Sequence, residues 1–273
     1  MSDLPARMGR ADLHIHTVAS DGTATVMTVL ERAVELGLDV IAITDHERID
    51  AALAGQAIAR ERGLPLEVMV GEEVTTLGGH LLGLGLRTLV RSYRSLRSTI
   101  AEIHDQGALA IPAHPLVPYP LCAQAWVLRR LMDDPDEAVH PDALETFNPT
   151  ALGRPWHGRV VRFADQYGLA HIGNSDAHAL DAIGTGWTSF SGRSAADLRG
   201  SIDAGETEHG GGFHGTVGQV RVFGNQLVKR GRDARDELVG RVRNDGTGRD
   251  HGYPGGRARP PRYDPDAAKG DRP

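Results

Sequence analysis

The residues best equipped for chemistry in this chain are histidines and carboxylates, and they recur at set positions. The stretch ADLHIHTVASDG, residues 11–22, places His14 and His16 one residue apart and Asp21 five residues later. In an extended segment side chains alternate faces, so His14 and His16 point the same way. Alone, such a pair reads as a metal site or as two surface histidines on an edge strand. Further on, His46 ends LDVIAITDH, Glu72 and Glu73 sit in LEVMVGEEVTT, His80 opens HLLGLGL, His114 falls near the end of ALAIPAHP, and Asp176 and His178 end LAHIGNSDAH. Six of the thirteen histidines thus join Asp21, Glu73 and Asp176 in strand-end contexts. So many polar groups in apolar surroundings exceed what hydrogen bonds alone would neutralise. Imidazole and carboxylate donors without thiolates suit Zn²⁺, Mn²⁺ or Fe, and a shared carboxylate can bridge two ions. Two or three ions about 3.5–4 Å apart stabilise the attacking and leaving oxygens of a hydrolytic displacement, and bound water becomes a nucleophile once its pKa falls to around 7. The chemistry implied is hydrolysis.

The elements that must position these residues follow from periodicity. After the opening strand, Val26, Val29, Leu30, Ala33 and Val34 mark a helix face ending at Gly37. LDVIAITDH then reads as a buried parallel strand with polar residues at its C-terminal end. Helices are expected over residues 50–62, 92–105, 125–132 and 155–167, the last with Pro155 in its first turn, and a further helix is opened by Ser194 as N-cap with Asp197 three residues on. Between them come the strands LEVMVGEEVTT, HLLGLGL paired to it, ALAIPAHP, ALETFNP with Glu145 and Asn148, LAHIGNSDAH and TGWTSF. This alternation predicts a parallel α/β architecture. Polar residues at the C-terminal ends of five or more strands favour a (β/α) barrel, whose active site forms at that rim, over an open sheet with a single switch point.

Composition narrows the classes. A chain of 273 residues, 40% hydrophobic, accommodates one barrel. Without an apolar run long enough for a membrane span, and with a polar N-terminus, it is expected to be soluble and cytoplasmic. The lone Cys122 excludes an internal disulfide and a cysteine-built zinc site. The net charge of −6 divides into +5 for residues 215–273, with 13 basic and 8 acidic residues, and −11 for the rest. An acidic body suits a site loaded with cations. Residues 215–242 read as a helical extension, and residues 243–273, rich in Gly, Pro, Arg and Asp, as a disordered tail. The tail's interspersed aspartates favour a solvated extension over a nucleic-acid anchor, and Tyr253 and Tyr263 are too far apart to form a stacking platform.

HIHTVASDG, TDH, GEEV, GGHLLGLG, PAHP and GNSDAH resemble the successive motifs of the PHP (polymerase and histidinol phosphatase) family of metal-dependent phosphoesterases, over residues 11–205. Later stretches, ALETFNP, IGTGWTSF and the helix from Ser194, are similar to small stand-alone members with a C-terminal PHP-associated segment. The resemblance implies a distorted (β/α)7 barrel, filling residues 1–214, with two or three divalent ions (Mn, Zn or Fe) at the C-terminal ends of its strands. By motif, His14, His16, Glu73 and Asp176 would hold a first ion; Glu73 would bridge to a second, held also by His80 and His114; Asp21, His46 and His178 would hold a third. Glu73, Asp176 and His178 would then stand at the reaction centre. The family's Gly-x-Glu spacing selects Glu73, and Glu72, facing the other way, is expected in an ion pair within the barrel wall. A basic residue often follows the Ala-His-Pro motif in the family; here PLVPYP does, so Arg154, with Arg48 behind it, is the substitute for binding phosphate. No histidine is identifiable for protonating the leaving group. The activity implied is hydrolysis of a small-molecule or nucleotide phosphomonoester by a hydroxide between two ions. The alternatives are exonuclease or phosphodiesterase action on nucleic acid, which is less favoured, and a non-catalytic metal-stabilised binding module. Nothing in the sequence bears on oligomeric state.

Overall fold

Two layers of apolar side chains, one on each face of a curled sheet, organise the chain. A computed structural model describes residues 8–150 and 153–213. The strands are β1 (Met8–Ile15), β2 (Val40–Ile43), β3 (Glu67–Thr76), β4 (Gly79–Leu84), β5 (Leu109–Pro112), β6 (Ala143–Phe147), β7 (Ala170–Gly173), β8 (Gly186–Ser191) and β9 (Glu208–Gly211). The helices are α1 (Val26–Glu35), α2 (Asp50–Glu61), α3 (Leu96–His104), α4 (Ala125–Met132), α5 (His157–Tyr167) and α6 (Ala195–Asp203). Ile41, Ile43, Val68 and Val70 pack outward against Val26, Val29, Leu30 and Ala33 of α1, while Val40, Ala42, Met69, Leu82 and Ile111 fill the opposite face with Leu198 and Ile202 of α6. This division is the period-two alternation of strands buried on both sides.

Seven strands pair in the order β5-β4-β3-β2-β1-β8-β9, and β6 and β7 form a separate parallel pair. Hydrogen bonds rather than ladders join this pair to the rest. The Asp142 N–H donates to Ala110 O at 3.0 Å, the Leu13 N–H donates to Asn174 Oδ1 at 2.9 Å, and the His16 N–H donates to Ala177 O at 2.8 Å. The result is an α/β fold whose sheet curls into a half-barrel.

The expectation of a parallel sheet is corrected in one respect. Although β1-β2 and β2-β3 are parallel, β3-β4, β4-β5, β1-β8 and β8-β9 are antiparallel. The cause at β4 is local, since only Leu77 and Gly78 separate it from β3 and a connection that short can only reverse the chain. The strand β9, with the sequence EHGG, carries no β-forming signal and has no counterpart among the expected elements. The helix expected from residue 92 begins at Leu96, because the Ser95 side chain accepts the Ser98 N–H as N-cap. Pro155 sits in a 3-10 turn, Arg154–Trp156, that precedes α5. The capping box of Ser194 and Asp197 forms as expected. The helical extension over residues 215–242 and the tail over 243–273 lie outside the described residues. Among the described residues no helix is long and apolar enough to cross a membrane.

Candidate metal centre

Two irregularities of the sheet aim the histidines. Ala11 pairs with Val40 and Asp12 with Ile41, but the next partner of β2, Ile43, is Ile15, so β1 holds one residue more than its neighbour. This bulge lets β1 change faces: Ala11 and Leu13 belong to one apolar layer and Ile15 to the other, and His14 and His16 turn together into the sheet's mouth, their rings 5.1 Å apart. The reversal at β4 does the same for His80. Because β4 runs backward, its first residues lie at the end where β3 finishes, and Thr75 pairs directly with His80. His46, His114, Asp176 and His178 follow β2, β5 and β7 in the chain. His114 (φ 32°) and Asp176 (φ 50°), as well as Glu47 (φ 50°) beside His46, hold left-handed backbone conformations that strain an L-residue, a cost tolerated mainly where function fixes the geometry.

Glu73 is the common point. Its Oε1 lies 2.7 Å from His80 Nδ1 and 3.1 Å from His114 Nε2, while its Oε2 lies 3.2 Å from His14 Nε2, 3.1 Å from His16 Nε2 and 3.4 Å from His46 Nδ1. Asp176 Oδ1 approaches the same His14 and His16 nitrogens at 3.4 and 3.5 Å. On the far side of His16, Asp21 lies 3.3 Å from His178 and 3.7 Å from His46. One ligand atom from each of His16, Asp21, His46 and His178 falls within 4.8 Å of the others, and the same holds for His14, His16 and Glu73 and for His46, Glu73 and His80. All nine residues singled out from the sequence as ligands are therefore brought together. The close groups differ from the expected sets: His16 also joins the Asp21 side, His46 also joins Glu73 and His80, and neither Asp176 nor His114 falls within the three groups, although Asp176 approaches His14 and His16 and His114 approaches Glu73.

The remaining candidates are placed differently. Arg48 donates to both oxygens of Asp50 and to Ala19 O, clasping the start of α2 to the loop after β1. Arg154 is exposed, its guanidinium 5.7 Å from the Phe213 ring. Glu72 is buried on the opposite side of β3 from Glu73, but the ion pair expected for it does not form among the described residues. Its Oε2 accepts the Val90 N–H at 2.9 Å, its Oε1 has no partner, and burial pushes its carboxyl well above the usual range, with Glu47 and Glu102 adding to the rise. Sequence reasoning passed over Glu145, Cys122 and Asp45. Asp45 accepts the Thr17 and Ser20 N–H groups and fixes the loop to Asp21. Cys122 Sγ lies 3.3 Å from His114 Nδ1. Glu145 was visible at a strand end, but its partners come from three other segments.

The centre is electrostatically tense. Burial opposes ionisation of Glu73 and Asp176, yet His80, His46 and His14 around the first, and His14 and His16 around the second, hold both carboxyls well below their usual range. Burial likewise disfavours charge on His16, yet Asp176, Glu73 and Asp21 push it up to about 10. His46 goes the other way, to about 3, through burial and the charge of His16, which outweigh Glu73. Buried carboxylates in this number demand positive charge, and divalent ions would supply it in place of protons. The geometry fits such ions: His14 Nε2, His16 Nε2 and His80 Nδ1 are buried without any hydrogen bond, despite carboxylate oxygens at 2.7–3.2 Å.

Fold and site together define the class: an α/β protein with a histidine–carboxylate cluster suited to divalent metal ions. The chain belongs to the PHP family, whose PHP domain profile matches residues 12–118 and whose PHP-associated profile matches residues 154–207. It is 35% identical over 120 residues to an uncharacterised protein of Methanocaldococcus jannaschii, covering 40% of this chain and 69% of that one. It is 39% identical over 79 residues to a 5'-3' exoribonuclease of Salmonella typhimurium, but spans only 27% of that enzyme and 28% of itself in the match. Among solved structures, a two-domain protein from Bacteroides vulgatus containing a predicted PHP-like metal-dependent phosphoesterase superposes with a TM-score of 0.62 at 19% identity, over 81% of this chain and 70% of that one.

Proposed function

We propose that the protein is a metal-dependent phosphoesterase that hydrolyses a phosphomonoester of a small molecule or nucleotide. The observation that carries this is the set of buried imidazole nitrogens around Glu73 that lack hydrogen bonds, in residues whose ligand atoms group within 4.8 Å of one another. His14, His16, Glu73 and Asp176 would hold one ion, Glu73, His80 and His114 a second, and Asp21, His46 and His178 a third, at the C-terminal rim of a distorted seven-stranded barrel. Bound divalent ions, of Mn, Zn or Fe, activate water for in-line attack and neutralise charge on the phosphate oxygens. A phosphomonoester carries close to two negative charges at neutral pH, which a three-cation site matches better than a diester's single charge. Glu73 would be the carboxylate shared between ions, and Asp176 and His178 would stand with it at the reaction centre. Arg154, exposed on the turn beyond Asn148, would be the first residue to bind the phosphate. Arg48 could contribute only by releasing Asp50.

The test is purification with Mn²⁺ or Zn²⁺, metal analysis, and a screen for phosphate release from a panel of monoesters. His14→Ala and Asp176→Ala should each lower kcat/KM by roughly 10²–10³-fold, the equivalent of several kcal/mol of charge stabilisation. A detected activity that survives both substitutions does not come from this site. The likeness to an exoribonuclease favours a second reading, nucleotide or nucleic-acid phosphodiester cleavage. It predicts salt-sensitive binding of a polynucleotide that weakens when residues 243–273 are removed. Fewer than about one ion per chain, with no activity, would leave a non-catalytic binding module.

A further inference from the structure

Glu145 lies between the stretches that the two PHP profiles match, and no role is assigned to it by either. It is 1% exposed, and every donor around it belongs to the centre or to the strand ends that build it. Its Oε1 is 3.0 Å from His14 Nδ1 and accepts the Asn174 Nδ2–H at 2.9 Å. Its Oε2 accepts the His114 backbone N–H at 2.6 Å and the Asn148 Nδ2–H at 3.2 Å. Asn148 in turn donates to Asp176 Oδ2 at 3.2 Å, and Asn174 accepts the Leu13 N–H through Oδ1 at 2.9 Å. One carboxylate therefore joins the ends of β1, β5 and β7 where His14, His114 and Asp176 stand.

The Asn174 and Asn148 side chains and the His114 backbone all donate to Glu145, so its carboxyl acts as an acceptor on both oxygens and the proton in the His14–Glu145 contact resides on Nδ1. That leaves His14 Nε2, the nitrogen facing Glu73 and Asp176, to offer its lone pair to a cation. The bond to the His114 N–H also holds that residue in its left-handed conformation, which brings its Nε2 to Glu73. We propose that Glu145 is the positioning residue of the centre, setting the tautomer of His14 and the separation between His14 and His114. This rests on the metal-binding reading above. Partners of this kind on ligating histidines are worth on the order of 10–100-fold in metal affinity.

The test uses the full chain and its Glu145→Gln variant, which keeps the volume but turns an NH2 toward one of the donors. Zn²⁺ affinity is measured by competition with a chromophoric chelator, and folding by circular dichroism. In the Zn²⁺-loaded wild type, nitrogen-15 spectra of labelled histidine, assigned by the signal lost in His14→Gln, report which ring nitrogen of His14 is protonated. The expected results are a proton on Nδ1 in the wild type and a 10–100-fold weaker Kd in Glu145→Gln with an unchanged dichroism spectrum. A His14 proton on Nε2, or a variant that binds Zn²⁺ within twofold of wild type, overturns the assignment of Glu145 alone. A wild type that binds no Zn²⁺ removes the metal reading and this role with it. If Glu145→Gln does not fold, the wild-type tautomer decides.

Discussion

Asp12 offers a measurement that isolates one buried charge. It lies on β1, fully buried, where its Oδ1 accepts the Ser175 N–H at 3.0 Å and its Oδ2 the Gly184 N–H at 2.8 Å, hooking the loop that carries Asp176 and His178 onto the strand of His14 and His16. Burial pushes its carboxyl from 3.8 up to about 6, against the pull of these hydrogen bonds. A folded value above the unfolded one means that the folded state binds more protons between about pH 4 and 6. Stability from this group is then present at low pH and lost as pH rises through 6, by about 3 kcal/mol in all. About half of that loss falls between pH 5 and pH 7.5. Asp12→Asn cannot ionise. It keeps one acceptor and turns an NH2 toward the other backbone N–H, a cost that does not depend on pH. Urea denaturation of both proteins in the presence of a chelator, at half-unit steps from pH 5 to 7.5, gives the difference in stability with every other titrating group cancelled. Wild type should gain on the variant by more than 1 kcal/mol as the pH falls across this range. A difference that stays flat, or that grows with pH, would refute the reasoning, because it would mean that the two N–H groups outweigh desolvation and keep Asp12 ionised.

Because carboxylates hold His16 protonated up to about 10 in the metal-free protein, loading Zn²⁺ or Mn²⁺ at pH 7 should release protons and bind more tightly as pH rises from 6 to 8. Calorimetry in buffers of different ionisation enthalpy checks the release, and a heat independent of buffer refutes it; at a thousandfold excess over Kd the ion should stabilise the fold by about 4 kcal/mol. A Cβ at Gly22 would overlap the His16 carbonyl and come within 2.8 Å of the Thr17 nitrogen, backbone atoms that cannot step aside. Gly22→Ala should therefore cost about 1–3 kcal/mol in denaturant stability, and a loss below about 0.5 kcal/mol would show that the turn between His16 and Asp21 relaxes freely.

What could be read directly from the residues was local. Alternation along a strand brings His14 to within 5.1 Å of His16, and it separates Glu73 at the centre from Glu72 behind it. The Ser194 cap, likewise, needs only its own turn. What escaped depends on partners distant in the chain. No motif reveals that β1 carries one residue more than β2, and the direction of β4 follows from a two-residue connection that strand patterning does not weigh. Glu72 shows the limit of reasoning by charge alone: with no cation beside it among the described residues, burial pushes its carboxyl above the usual range instead of an ion pair holding it down. Glu145 shows the limit of motifs, since its contacts bring together residues 131 positions before it and 31 positions before it.

The extra residue of β1 makes the centre vulnerable to a kind of damage that substitution does not cause. Removing one residue between Asp12 and His14 would restore regular pairing with β2 and rotate the strand's end by half a pleat, so that the two histidines would face the helices. Every candidate ligand would still be encoded, in the same order and almost the same spacing, and an inventory of donors would count the site as intact. In this fold the reading frame of a strand against its neighbour is as much a part of the centre as the side chains that line it.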